Sequence, residues 1–442
     1  MKLNFFTPLP PLATDIAQCV SRVLPALAAR FDVTLWTSQE KVDKGLRQSF
    51  RVRSFRPDNV DWRELNYADI NLYNIGNDAR FHAPILEFAR RYPGVVLMHD
   101  VAVHELIYAT LERKPLCLER YMELLERDGP QAVEAGRAFL AGKLALRDVS
   151  VRHPLTWWPL ERAAGVVSHN AEALRRAVPR LDAPLLDTPL PWLPKAQMQK
   201  ARARVLDAGR MEMLVCGHLN SPNRRLSQLL EALATFPLRD RLLLHVAGAV
   251  KDEKTLKQKI AALGLRSQVK LHGYLSEKAL GRLMDSCHMA LNLRWPSVGE
   301  ASGAQLRFWN HSLPTVATKT AWYAQQPEDC LMLVDPEREA EDLHRYWNLA
   351  LGDYAGVAQF GLRGRELLER RHSAESFASA LEAFLPVVER YRESLAARPL
   401  AERVGRALGD LSVEDANLKA SIASRFACRI AEMSGTLAED GR

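Results

Sequence analysis

The 442-residue chain is 47% hydrophobic and 26% charged, an ordinary globular mix with length for two or three domains. No apolar run reaches the roughly 18 residues that a membrane-spanning helix needs, and Cys19, Cys117, Cys216, Cys287, Cys330 and Cys428 form no CxxC pair, which excludes a zinc ribbon or dithiol motif and suits reduced thiols. The formal charge of +7 is spread along the chain, not gathered into the stripe that nucleic acid demands; it fits an anionic substrate, a peripheral contact with anionic lipid, or a merely solvated surface.

The start, Met1–Pro8, is too short and too soon broken by proline for a secretory leader, and reads as a first strand over Leu3–Thr7. Ile16–Arg30 has helical spacing, while Val33–Trp36, Ile70–Tyr73, Gly94–Met98 and Gly165–Val167 are strand-like. This alternation predicts a parallel sheet covered by helices on both faces. The pattern changes between His104 and Arg152. There, Leu106–Leu146 reads as helices broken at Pro115 and at Asp128-Gly129-Pro130. It is a helical insertion (about 105–152) that packs, forms part of a cleft, or faces a membrane.

Four prolines make Leu181–Pro194 an expected linker. The alternation then restarts, with strands over Glu212–Gly217, Leu242–Gly248, Val269–Tyr274 and Ala290–Leu293, and helices over Arg225–Ala234, Leu256–Leu263 and Glu277–Ser286. The second half thus repeats the architecture of the first. A helix near Ala378–Ala397, kinked or broken at Pro386, is expected next, then an alanine-rich tail over Leu400–Arg442 that caps the fold, self-associates or stays mobile. The expected divisions are 1–185, 195–375 and a helical 376–442, whose first helix crosses back to the N-terminal domain.

Several chemistries lack their motif: GxGxxG after a strand, GxxxxGK[ST], HExxH, GxSxG, and any pair of aspartates one residue apart that could clamp a diphosphate through a cation. Three segments remain. Cys216–Leu226 leaves a strand, passes a Gly/Asn/Ser/Pro turn and opens a helix carrying Arg224 and Arg225. Helix amides and guanidinium forks both suit phosphate, although such arginines can also be simply solvated. Asn292–Leu306 runs from a buried strand into a loop of glycines and serines with Glu300, and Arg294 at the strand end. Small residues allow close approach of a diphosphate, and Ser302 can equally be a plain N-cap. Met98-His99-Asp100 follows a strand, where an imidazole faces the ligand crevice or serves the core.

The second segment resembles the N-L-R-x-P-[TS]-x-G-E-x-S-G signature of a branch of retaining glycosyltransferases of family 4 (group 1) type. The first resembles that branch's N-P-N-K-R-L turn, with Arg224 where lysine is usual. Pro8–Pro11, Asn74–Asn77, Phe81-His82, Pro93–Val96, His99-Asp100 and Val166–Asn170 are similar to its N-terminal blocks, so the likeness spans roughly Leu3–Pro386 outside the insertion.

The resemblance implies a GT-B fold, an α/β arrangement of two Rossmann-like domains facing across a cleft. The N-terminal half would take a glycan or lipid-linked acceptor and the C-terminal half a nucleotide sugar. It implies a retaining, metal-independent hexosyltransferase of bacterial polysaccharide or lipopolysaccharide assembly. No cofactor beyond the donor and no nucleic-acid partner are expected. The setting would be cytoplasmic, or peripheral at the inner membrane. By the same resemblance His99, Arg224 and Glu300 are the catalytic candidates. Gly217, Asn220, Arg225, Tyr274, Arg294, Ala301, Ser302 and Gly303 would bind the donor. Asp15, Asn77 and His169 would lie on the acceptor side, although Asp15 reads first as a cap for the Ile16 helix.

There are departures. The wider family's second glutamate is Phe308 here, the glycine-rich first loop is Ala13-Thr14-Asp15, and an arginine usual after the Met213–Cys216 strand is absent. A non-catalytic glycan-assembly subunit and a sugar-nucleotide epimerase of the same fold therefore remain as alternatives.

Overall fold

The computed structural model describes residues 1–410, 420, 421, 424 and 425 except 13, 113, 208, 218, 220, 221, 251 and 298, with backbone alone over 393–410. The remaining tail positions, for which capping, self-association or mobility were expected, lie outside the described residues, as does Asn220.

Seven parallel strands form the first sheet: β1 (Lys2–Phe6), β2 (Asp32–Thr37), β3 (Arg51–Ser54), β4 (Ile70–Ile75), β5 (Val95–Met98), β6 (Gly165–Ser168) and β7 (Leu185–Asp187), in the order β3-β2-β1-β4-β5-β6-β7. Six more form the second: β8 (Met211–Cys216), β9 (Leu242–Ala247), β10 (Val269–Gly273), β11 (Met289–Asn292), β12 (Thr315–Thr318) and β13 (Met332–Val334), in the order β10-β9-β8-β11-β12-β13. Runs such as Val95–Met98 and Met289–Asn292 are buried along their whole length, as strands covered on both faces must be. In each sheet the strand order reverses beside its first strand, so a crevice opens at the carboxyl ends of β1 and β4, and of β8 and β11.

Four helices, His104–Leu111, Cys117–Asp128, Pro130–Leu140 and Leu146–Arg152, make up the insertion between β5 and β6. His104 lies inside it, its Nε2 2.8 Å from the Tyr121 hydroxyl. Three differences from the expected elements have simple causes. Leu185–Asp187 is an edge strand on β6, not linker, because Pro184 lies before it and Pro189 after it, leaving three residues free to pair. Thr14 caps the first helix by accepting from the Ala17 amide, so Asp15 is the first helical residue, not the cap. The final helix runs unbroken through Pro386, from Ala374 to Asp410. Pro386 is exposed, so water can take up the carbonyl that its ring leaves unpaired.

That helix lies on the first domain. Phe377, Leu381, Phe384, Leu385 and Val388 are buried among Leu3, Leu24, Leu27 and Val167, each contributing about 1.5–3 kcal/mol of burial. Strands β3, β12 and β13 and the helices Ala79–Arg91, Glu339–Gly352 and Tyr354–Arg371 are among the elements beyond those expected. Among the described residues no helix is long and apolar enough to cross a membrane.

Candidate functional site

The second domain's crevice is built where two chain segments leave neighbouring strands. After β8 the backbone turns through Gly217 and a short helical turn at Pro222–Arg224. After β11 it passes Leu293 and Arg294. The Trp295 amide donates to the Asn223 carbonyl at 2.8 Å, and Asn223 Nδ2 donates to the Pro296 carbonyl at 3.3 Å. The arginine turn and the Glu300 loop therefore meet.

Their arginines differ. Arg225, expected at the donor, pairs with Glu339, its Nε 3.2 Å from both carboxylate oxygens. Arg294 pairs with Glu300, and its amide is anchored on Thr318 Oγ1 at 2.9 Å. Arg224 forms no hydrogen bond or ion pair with any described residue. Burial, reinforced by neighbouring Arg294, pulls its pKa down to about 10, against the attraction of Tyr323 and Glu300. Burial works to raise the Glu300 pKa, yet Arg294 outweighs it and holds the carboxyl below its usual value.

The loop itself is shaped by small residues. Ser302 caps the Gly303–Asn310 helix through the Gln305 amide, and buried Asn292 reaches Ser302 Oγ and Gln305 Oε1 at 3.3 and 3.1 Å. Ser297 Oγ accepts from the Gly299 amide at 3.2 Å. Gly299 has φ +86°, and a Cβ there would meet Val101 and Ala173 at 3.1–3.2 Å. Only glycine fits this approach of the loop to the first domain. A Cβ on Gly303 would meet nothing within 4 Å, so the helix start is open.

The first domain supplies the opposite wall. His99 and Asp100 follow β5, and the His99 amide is bonded to the Ile75 carbonyl at 2.9 Å. The His99 and His169 rings lie 5.2 Å apart. His169 Nδ1 is 3.0 Å from the Thr188 carbonyl and His82 Nδ1 is 3.0 Å from that of Asn74. The Nε2 atoms of His99 and His169 are buried without a partner. Burial lowers all three histidines, His82 and His169 to about 4 and His99 well below its ordinary value. Asp100 goes the other way, to about 6. Burial raises it and Glu300 adds to this, against the Asn77 amide that donates to it at 2.8 Å. Asp100 thus feels Glu300 and Arg294 from across the cleft.

One residue fastens the walls together. Asn170 Nδ2 donates to the Gly299 carbonyl at 2.9 Å, while its Oδ1 accepts from Gln325 Nε2 at 2.9 Å and from the Ala173 amide at 3.2 Å. Asn170 and Tyr323, whose buried hydroxyl has no partner, are the residues that sequence reasoning did not single out. Asn170 carried a signal, since it follows β6 directly and caps the next helix; Tyr323 carried none. The other expected positions differ: Asn77 borders the site through its amide bond to Asp100, whereas Asp15 and Tyr274 stand exposed. Asn77 spends its side chain on Glu105 and the Leu106 amide. Asp15 is exposed in the first turn of its helix. Tyr274 stands 83% exposed beyond the edge strand β10.

An unpaired cation, a carboxylate, free helix amides and neutral imidazoles can together hold an anionic group beside a polyhydroxylated one. Comparison with known proteins agrees in fold. Residues 199–305 match the family model described as "Glycosyl transferases group 1". No curated protein sequence matches the chain. Among solved structures, HepE of Anabaena in complex with UDP and glucose is similar at 14% identity, with 88% of this chain and 100% of that chain covered and a TM-score of 0.59. A sucrose-phosphate synthase from Thermosynechococcus elongatus is similar at 15% identity, 90% and 100% coverage and a TM-score of 0.57. WaaG, a glycosyltransferase involved in lipopolysaccharide biosynthesis, is similar at 15%, 86% and 98% coverage and a TM-score of 0.53. The chain thus has the GT-B architecture, and residues 199–305 of it carry the pattern of group 1 glycosyl transferases.

Proposed function

We propose that the chain is a retaining, metal-independent hexosyltransferase that moves a sugar from a nucleoside diphosphate donor to a glycan or glycolipid acceptor in bacterial surface polysaccharide assembly. One observation carries this reading: unpaired Arg224 stands beside the Arg294–Glu300 pair, across from His99 and Asp100. The UDP and glucose bound by HepE favour a uridine nucleotide.

Arg224 and the amides of Ala301–Gly303 hold the diphosphate. Glu300 accepts hydrogen bonds from sugar hydroxyls, and His99 donates to or accepts from the transferred sugar. The acceptor hydroxyl attacks the anomeric carbon on the face from which the diphosphate departs. The carbon–oxygen bond to phosphate breaks, and the hydroxyl proton passes to the leaving phosphate oxygen. Catalysis then consists of positioning and of a guanidinium aimed at charge that grows in the transition state.

Phe308, buried in the core at the place of the family's second glutamate, favours a second reading as a non-catalytic subunit. One experiment separates the two. Nucleoside diphosphates and their sugars are screened by thermal shift, since a ligand of the folded state raises the melting point by mass action, and each binder is then assayed for sugar release or transfer. Binding with turnover supports the enzyme, binding without turnover the subunit, and no binding removes both. Exposed Leu116, Leu118 and Leu140 on the insertion support a peripheral lipid contact. Failure to float with anionic liposomes would reject it.

A further inference from the structure

A second constellation lies in the other half of the β8 strand. Glu212 is the second residue of β8, and His245 on β9 is paired with Leu214, so Glu212 and His245 share a face of the sheet. Cys287, just before β11, comes up beside them. One ligand atom from each of Glu212, His245 and Cys287 lies within 4.8 Å of the other two. Arg224's crevice opens at the far end of β8, about 13 Å along the strand, so this cluster is outside the candidate active site.

Its surroundings favour a bound cation. His245 is 4% exposed, and its Nε2 is buried with no hydrogen-bond partner, although Glu212 Oε2 lies only 3.2 Å away. On the other side of the ring, His245 Nδ1 is 2.8 Å from His272 Nε2. The His245 Nδ1–His272 Nε2 contact fits either tautomer: with Nε2–H the ring donates to Glu212, and with Nδ1–H donating to His272 the Nε2 lone pair is free for a cation held between the carboxylate and the Cys287 sulfur. A metal-bound histidine commonly has its other ring N–H fixed by an acceptor, a part that His272 Nε2 can play here. The frame is held from behind. The Glu212 amide donates to His288 Nδ1 at 3.0 Å, and Arg204 binds the carbonyls of Asp285 and Cys287.

We propose that Glu212, His245 and Cys287 form a zinc-class divalent-cation site that ties β8, β9 and the segment entering β11 together, with a fourth position open to water. One nitrogen, one oxygen and one sulfur donor suit zinc, whose tetrahedral ligand atoms sit about 3.3–3.8 Å apart. Glu212 and His245 are already at 3.2 Å, and a contact of Cys287 at the 4.8 Å limit would close by about 1 Å. The Glu212 side chain, 34% exposed, leaves an entry path.

The test uses the purified full-length chain, stripped with chelator and titrated with zinc. One equivalent should bind and raise the melting temperature by several degrees, reversibly with chelator. Cobalt in place of zinc should show a thiolate-to-metal charge-transfer band, lost in Cys287→Ser. Glu212→Gln, at a partly exposed position, should fold normally and bind at least tenfold more weakly. His272→Phe should weaken binding by about 10–100-fold. Absence of stoichiometric zinc, or binding unchanged in both Glu212→Gln and Cys287→Ser, would overturn the proposal and leave an ordinary histidine–carboxylate contact. If Cys287→Ser does not fold, Glu212→Gln and the wild-type cobalt spectrum decide alone.

Discussion

The wall that the second domain gives to the cleft crowds two arginines and a carboxylate together, whereas the first domain's wall holds three imidazoles that burial keeps neutral. Among the described residues the charged wall sets Arg224 and Arg294 against Glu300 and leaves Arg224 without an ion-pair partner. Such an excess is costly unless an anion arrives, because a buried charge without a partner is strongly disfavoured. The imidazoles of the other wall have no such need, although that wall also holds Asp100, which ionises above about pH 6. These imidazoles offer a donor or an acceptor without repelling anything, which suits hydroxyl groups. The contrast teaches that an anion and a polyol can be sorted in one cleft by protonation state alone.

The strongest way to break this comparison is Arg224→Ala. It removes a buried cation that pairs with none of the described residues, so turnover should fall by about a hundred- to a thousandfold. The melting temperature should hold or rise, since repulsion from Arg294 is relieved. Steady-state kinetics and thermal unfolding measure both, and undiminished turnover would end the argument for Arg224. Asn170 then sharpens how the walls are joined. Asn170→Ala loses a helix cap and the bonds to Gly299 and Gln325, which should cost about 1–3 kcal/mol. Asn170→Ser restores the cap without the reach to Gly299. If joining matters, the serine variant recovers most of the stability while donor affinity stays several-fold weaker. Equal recovery of both would make Asn170 a cap and nothing more.

The parts legible in the sequence were those set by local rules. β1, β5, β8 and β11 showed as apolar runs, and the Gly303–Asn310 helix announced itself through Ser302. The meeting of the Arg224 turn with the Glu300 loop was legible only through strand order, since both leave strands flanking the switch point. Partner choice was not legible. Arg224 and Arg225 are neighbours of identical type. Yet Arg225 is taken by Glu339, 114 residues away in sequence, and that pairing leaves no trace near either residue. Pro386 misled because a proline's effect depends on whether its helix face meets water, which tertiary packing decides. Tyr323 sits beside the site through the β12–β13 connection, an element too short to carry a pattern.

The smallest effect, and the most specific to two walls sharing one field, concerns Asp100. In the folded chain its carboxyl keeps a proton up to about pH 6, while an unfolded aspartate releases it near 4. Folding therefore gains most from this group below pH about 4, and that gain is lost as pH rises through about 6. Above that the folded protein carries a buried charge that the unfolded chain hydrates freely. Two pH units bound the cost at about 3 kcal/mol, and partial solvent contact at the cleft reduces it to about 1–2 kcal/mol. Asp100→Asn keeps an oxygen to accept from the Asn77 amide but cannot ionise. Its melting temperature should exceed that of the wild type at pH 7.5, and the gap should shrink to about a third by pH 4.5. A gap of the same size at both pH values would mean that Asp100 bears no buried charge. Because Glu300 helps to raise Asp100 from the opposite wall, introducing Glu300→Gln first should narrow the gap at pH 7.5. If the two substitutions were strictly additive, the walls would not act on one another, and the shared cleft would be a matter of proximity only.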